Sequence, residues 1–221
     1  PTSYMYRCPV PAYTAYQDMM DYAASRLEPV LIPTAEENNF SIPAAEFAEA
    51  AKGLDSFLIS NPCNPTGHVI QGDELASYCE TARREGCTLI MDEFYSHYVY
   101  DSPDLTVSAA AHVEDVDKDP IVILDGLTKN WRYPGWRICW TVAPRPIIEA
   151  VGSAGSFLDG GCSRPMQRAA IPLLEEDLAV AEAWGIQDIF KKKRQWMLDG
   201  LGELGIDVGL SPQGGFYCWG D

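Results

Sequence analysis

The chain has 221 residues, 47% of them hydrophobic and 22% charged, which is long enough for one large core and too apolar for a disordered segment. Its formal net charge of −16 argues against a nucleic-acid backbone or an anionic membrane as partner. Seven cysteines without a C-x-x-C pair and three scattered histidines fit neither a secreted disulfide framework nor a metal centre, and no apolar run nears the roughly 20 residues that cross a bilayer.

In chain order, "PTSYMYRCPVP" does not resemble a signal peptide, so a reducing, cytoplasmic setting is expected. "IPAAEFAEAAKG" reads as a helix begun near Pro43 and stopped at Gly53. "SFLIS" (56–60), "CTLIMDE" (87–93) and "IVILDG" (121–126) are short apolar runs with little polar alternation, the signature of strands buried on both faces of a parallel sheet. Between the first two, "GDELASYCETARREG" places Leu75, Cys79 and Ala82 on one helical face and ends at Gly86. "RICWTV" (137–142) reads as a further strand and "PRPIIEAV" as a short helix. Beyond residue 162 the pattern turns helical: Ser163 caps, Pro165 takes the first turn, and Pro172 kinks "MQRAAIPLLEEDLAVAEAW". A second helix over about 186–202 carries "KKKR" (191–194) on its wet face, and "IDVGLSPQGGFYCWGD" reads as strand and turn. The alternation predicts an α/β fold, a mostly parallel sheet sandwiched by helices. A large domain over 1–185 is expected, then the start of a small C-terminal α+β domain over 186–221.

Open α/β sheets bind ligands beyond the carboxyl ends of their strands. "SFLIS" runs into "NPCNPTG" (61–67), "TLIM" ends at Asp92, and "IVIL" ends at "DGLTK". Taken singly, Asn64 is turn chemistry, Asp92 a loop cap and Lys129 an exposed lysine. After three successive strand signals they predict one crevice holding an amide, a carboxylate and an amine. Arg137 follows Lys129 across the Pro134–Gly135 turn. Pyridoxal phosphate asks for this set: a lysine amine for its aldehyde, a carboxylate to keep its pyridine nitrogen protonated, and an arginine for its phosphate. Tyr95 and the Asn64 amide can each reach the ring's 3-oxygen.

"NPCNPTG", "DEFY", "LTKNWRYPGWR" and "GGFY", in that order, resemble the class I/II aminotransferases of the fold type I pyridoxal-phosphate enzymes, over nearly the whole chain. The resemblance implies Lys129 as the Schiff-base lysine and proton shuttle, Asp92 against the pyridinium, and Asn64 and Tyr95 on the 3-oxygen. It implies Arg137 on the phosphate and Tyr13, in "PVPAYTAY", against the cofactor ring. Many relatives carry a hydroxyl residue three before the lysine; here that residue is Gly126, and Thr128 or a backbone amide takes over. The resemblance also implies that the phosphate loop precedes residue 1 and the substrate-carboxylate arginine follows Asp221, so that the chain is an excerpt. It implies a homodimer acting on an amino acid and a 2-oxo acid, with no nucleic-acid or membrane partner. Lyases, cyclases and aminocyclopropane-carboxylate-synthase-like proteins share these cofactor residues, and some ligand-sensing regulators contain such a domain, so those alternatives stay open. Trp131 and Tyr133 beside the lysine fit specificity and packing equally well.

Overall fold

The structure, a computed structural model, describes residues 4–23 and 27–220. Its sheet contains β1 (Tyr4–Val10), β2 (Leu27–Pro33), β3 (Ser56–Ser60), β4 (Thr88–Asp92), β5 (Ile121–Gly126) and β6 (Cys139–Val142), in spatial order β2-β1-β3-β4-β5-β6. All pairings are parallel except the antiparallel β5–β6. Helices α1 (Ala15–Ala23), α2 (Ala44–Ala50) and α3 (Gly72–Glu85) connect the parallel strands, and α4 (Arg145–Leu158), α5 (Arg164–Ala170) and α6 (Glu176–Glu203) follow β6. The α/β class expected from the alternating pattern is the one found.

The central strands show why their sequences lack polar alternation. Phe57, Ile59, Leu89, Met91, Ile121 and Ile123 point to one face and join Phe47, Leu75 and Tyr78 of α2 and α3 in the main core. Leu58 and Ile90, one residue out of phase, point to the other face and pack with Tyr6, Tyr16 and Met20. With side chains alternating at period two, a strand covered on both sides must be apolar throughout. The register sets the ends of β3 and β4 level, with Ser60 opposite Asp92, while β5 runs two residues past Leu124, the partner of Asp92, to Gly126. Three polar loops therefore leave the sheet side by side.

Several elements differ from the sequence reading. The strand expected over 137–142 starts only at Cys139, because Arg137 adopts a left-handed backbone with φ of 55°. The helix expected after "PRP" runs fourteen residues, to Leu158. Ser163 precedes α5 without a side-chain cap bond, and Pro165 sits in its first turn as expected. Pro172 falls in a 3-10 turn, Ile171–Leu174, that separates α5 from α6. α6 itself is one continuous helix of 28 residues, so the helix expected to begin near 186 is its second half. Residues 206–220 hold no strand; only an isolated antiparallel bridge joins Gly214 to Val99. Lys191, Lys192 and Lys193 are exposed as expected, whereas Arg194 pairs with Asp101 at 2.8 Å and donates to the Pro212 carbonyl at 2.7 Å. All seven cysteines are free. Among the described residues, no helix is long and apolar enough to cross a membrane.

Candidate active site

Beyond the carboxyl ends of β3, β4 and β5 lies a cavity of about 280 Å³. All seven residues singled out from the sequence line it: Tyr13, Asn64, Asp92, Tyr95, Thr128, Lys129 and Arg137. Each arrives by a local device. Asn61, fully buried, accepts the Ile70 N–H at 2.9 Å and donates to the Ile70 carbonyl at 2.8 Å, closing the loop that presents Asn64. Gly67 has φ of 73°, and a Cβ there would lie 2.4 Å from Pro212 Cβ. That close approach lets Gln213 and Gly214 donate to the Gly67 carbonyl at 3.0 and 2.9 Å. Gly215 N–H then donates to the Tyr98 carbonyl at 2.8 Å, which brings the "GGFY" segment over the cavity.

Asp92 is held at both oxygens. Tyr16 donates its phenol to Oδ2, and the Phe94 N–H reaches Oδ1 at 3.3 Å. Burial pushes the Asp92 carboxyl above its ordinary value, and these two donors pull the other way. The Tyr16 phenol is itself pushed up by burial and by the Asp92 charge, so it stays a donor. A carboxylate offers about four lone-pair sites, and two are used. A protonated ring nitrogen in the cavity would supply the missing partner.

The Tyr95 phenol lies 2.9 Å from the Tyr217 phenol. The Lys129 amine sits 6.0 Å from the centroid of the Tyr95 ring and 5.4 Å from that of Phe216. Arg137 spends one N–H on the Pro134 carbonyl at 2.9 Å. Among the described residues no acidic side chain forms an ion pair with Lys129 or Arg137. Two unpaired cations facing one cavity in a chain of net charge −16 call for an anionic ligand. Amine, carboxylate, two oxygen-directed donors and a free guanidinium together fit pyridoxal phosphate.

The missing hydroxyl three residues before the lysine has a steric reason. A Cβ on Gly126 would lie 2.7 Å from both Cα and Cβ of Cys139 and 2.7 Å from the Ile138 carbonyl oxygen. The antiparallel β6 crosses too close for any side chain; of the small hydroxyl residues on the cavity wall, Ser60 donates to the Pro62 carbonyl at 3.0 Å, and Thr128 adjoins the lysine. Trp131 is buried with its indole N–H on the Leu173 carbonyl at 3.0 Å, and the Tyr133 ring stacks on Trp136, so both pack.

The sequence reading missed Tyr16, Ser60, Phe94 and Tyr217, which also line the cavity. Tyr16 was within reach of it: it stands three residues after Tyr13, in the turn that opens α1, where its N–H donates to the Tyr13 carbonyl at 3.0 Å and the two rings meet edge to face at 5.4 Å. Tyr217 belongs to the quoted "GGFY", but no local pattern pairs it with a tyrosine 122 positions away.

The family model described as "Aminotransferase class I and II" matches residues 8–221. An aspartate aminotransferase of Musicola paradisiaca is 27% identical over 96% of the chain and 52% of its own length. A valine–pyruvate aminotransferase of Mycobacterium tuberculosis is 29% identical over the same shares, 96% and 52%. The crystal structure of an aromatic aminotransferase from Pyrococcus horikoshii superposes with a TM-score of 0.84 at 24% identity, covering 97% of this chain and 56% of that one, a likeness of fold. The chain spans about half the length of the curated relatives it matches.

Proposed function

Because the chain belongs to the class I and II aminotransferases, a pyridoxal-phosphate-dependent family, we propose that the whole protein moves an amino group between an amino acid and a 2-oxo acid at the cavity above β3–β5. The observation that carries this reading is the convergence of Asp92 and Lys129, with Asn64, Tyr95 and Arg137, on one cavity. Pyridoxal phosphate, when bound, supplies an electron sink that stabilises negative charge at the substrate α-carbon.

The chain's own groups do the rest. Lys129 would hold the cofactor through its amine, and its freed Nζ is the base that accepts the α-proton. Asp92, backed by Tyr16, holds the proton on the ring nitrogen. Asn64 and Tyr95 donate to the ring's 3-oxygen, with Tyr217 steadying the Tyr95 phenol. Arg137 and the Thr128 hydroxyl would hold the phosphate, and Tyr13, on the cavity wall and 47% exposed in this chain, would meet the ring. A homodimer is part of the proposal. What supports it is α4, which buries no residue and leaves Ile148, Val151 and Phe157 exposed. A division near residue 185 is likewise proposed, within α6, which runs unbroken across it as a connecting helix.

Incubating the full protein and pyridoxal phosphate with amino acids and 2-oxo acid acceptors, followed by mass spectrometry, tests the reaction. A new amino acid matching the acceptor is expected. Release of ammonia without amino transfer would assign elimination to the site instead.

A further inference from the structure

We propose that Asn130 is a positioning residue for Lys129, its side-chain amide tying the turn that carries the amine to the turn that follows Asp92. This rests on the functional reading above. The β4–β5 ladder ends where the Glu93 N–H meets the Leu124 carbonyl at 2.8 Å. Past that point β5 runs on to Gly126 against β6 while the Asp92 turn leaves the sheet, and no β4–β5 backbone pairing sets the distance between Asp92 and Lys129.

Asn130 takes over that task. Its residue is 0% exposed. From the Lys129 turn, its Nδ2 faces the Glu93 carbonyl at 3.1 Å and the Ser96 hydroxyl at 3.0 Å, both on the Asp92 turn. The same nitrogen reaches Asp125 Oδ1 at 2.8 Å, near the end of β5. Its Oδ1 accepts the His97 N–H at 3.1 Å, and its backbone carbonyl accepts from His97 Nδ1, also at 3.1 Å. A carbonyl only accepts, so His97 is the Nδ1–H tautomer. Burial holds that imidazole neutral by lowering its pKa to about 4. A second tie acts on the lysine itself: Tyr98 donates its phenol to the Lys129 carbonyl at 3.0 Å.

An apolar side chain of equal volume would fill the same space. It would leave the Glu93 carbonyl, the Asp125 carboxyl and the His97 N–H without this shared partner. The amide is the one group of that size that donates and accepts toward both turns at once. Because Asn130 is bonded directly to Lys129, its placement sets the Lys129 backbone and so the origin of the amine.

The test uses the full-length protein with pyridoxal phosphate and compares wild type, Asn130→Ala and Tyr98→Phe. Borohydride trapping with peptide mapping reports whether Lys129 holds the cofactor. A pH titration of the bound cofactor's visible absorbance reports the surroundings of the amine. Thermal melts report folding, and steady-state kinetics separate kcat from KM. Asn130→Ala should still be trapped at Lys129, with its absorbance midpoint moved by on the order of one pH unit. Its kcat should fall ~10- to 100-fold, the scale of a misplacement near 1 Å, while KM changes by less than about three-fold. Tyr98→Phe should move both in the same direction by less. A lowered melting temperature with wild-type midpoint and kcat in Asn130→Ala would reduce Asn130 to a packing role. Should that variant not fold, an unchanged midpoint and kcat in Tyr98→Phe overturn the proposal in its place. Absence of Lys129 trapping in the wild type would instead overturn the functional reading beneath it.

Discussion

Tyr16 and Asp92 are 76 positions apart in the chain and share a hydrogen bond on the cavity wall. Removing the phenol in Tyr16→Phe leaves one side of a desolvated carboxylate unmet, which costs about 1–3 kcal/mol where the group stays charged. Weaker pyridoxal phosphate binding and a kcat lowered ~10-fold or more are expected, read by fluorescence titration and kinetics; unchanged values would remove Tyr16 from the site. Gly126 makes the opposite kind of prediction. Placing a hydroxyl there, as Gly126→Ser, should destabilise the chain by about 1–3 kcal/mol, because the new Cβ meets Cys139 and Ile138 at 2.7 Å. Denaturant melts decide it, and a gain in stability would contradict the close β5–β6 approach. The meeting of Asn64, Asp92 and Lys129 on one cavity wall was legible in the sequence because each lies at, or within four residues of, the end of an apolar strand. Tyr16 and Tyr217 were not, since their roles exist only through contacts across the fold.

The elements repeat that division. β3, β4, β5 and α3 were read close to their observed limits, since period-two and period-3.6 burial leave strong patterns and Gly86, at φ of 67°, ends α3 as a left-handed cap. β1 and β2 were missed. β2 is an edge strand interrupted by Pro29 and Pro33 and carrying Glu28, and β1 carries Arg7 and Pro9, features that break an apolar run. α6 was split in the reading because its exposed apolar residues blur the helical period. The turn after β4 carries a pH prediction. Glu93 is buried, and burial raises its carboxyl to about 7 from the ordinary 4.5. Its folded-state pKa exceeds the unfolded one, so its contribution is full below pH 4.5 and declines as pH rises through about 7. Glu93→Gln keeps the acceptor for the Ala109 N–H, now 2.8 Å from Oε1, and abolishes the titration. The melting temperature of that variant relative to wild type should therefore rise between pH 5 and pH 8, measured without cofactor; a constant difference would contradict the buried, titrating acid.

For the molecule as a whole, the excess of acidic groups and the two cavity cations are complementary facts. A surface of net charge −16 disfavours anions in general, while Lys129 and Arg137, unpaired with any described acid, make one place where an anion is welcome. The α/β class was legible from alternation alone, whereas the docking of residues 212–217 onto the 61–67 loop was not, because it rests on backbone contacts that leave no hydrophobic period. The central claim is that the carboxyl ends of β3, β4 and β5 serve a single pyridoxal phosphate. Borohydride reduction of the cofactor-loaded full protein, followed by peptide mass spectrometry of wild type and Lys129→Ala, tests it most directly. A pyridoxyl group on Lys129 alone is expected in the wild type and none in the variant; a label on another lysine, or one that survives Lys129→Ala, would rule out Lys129 as the residue that holds the cofactor.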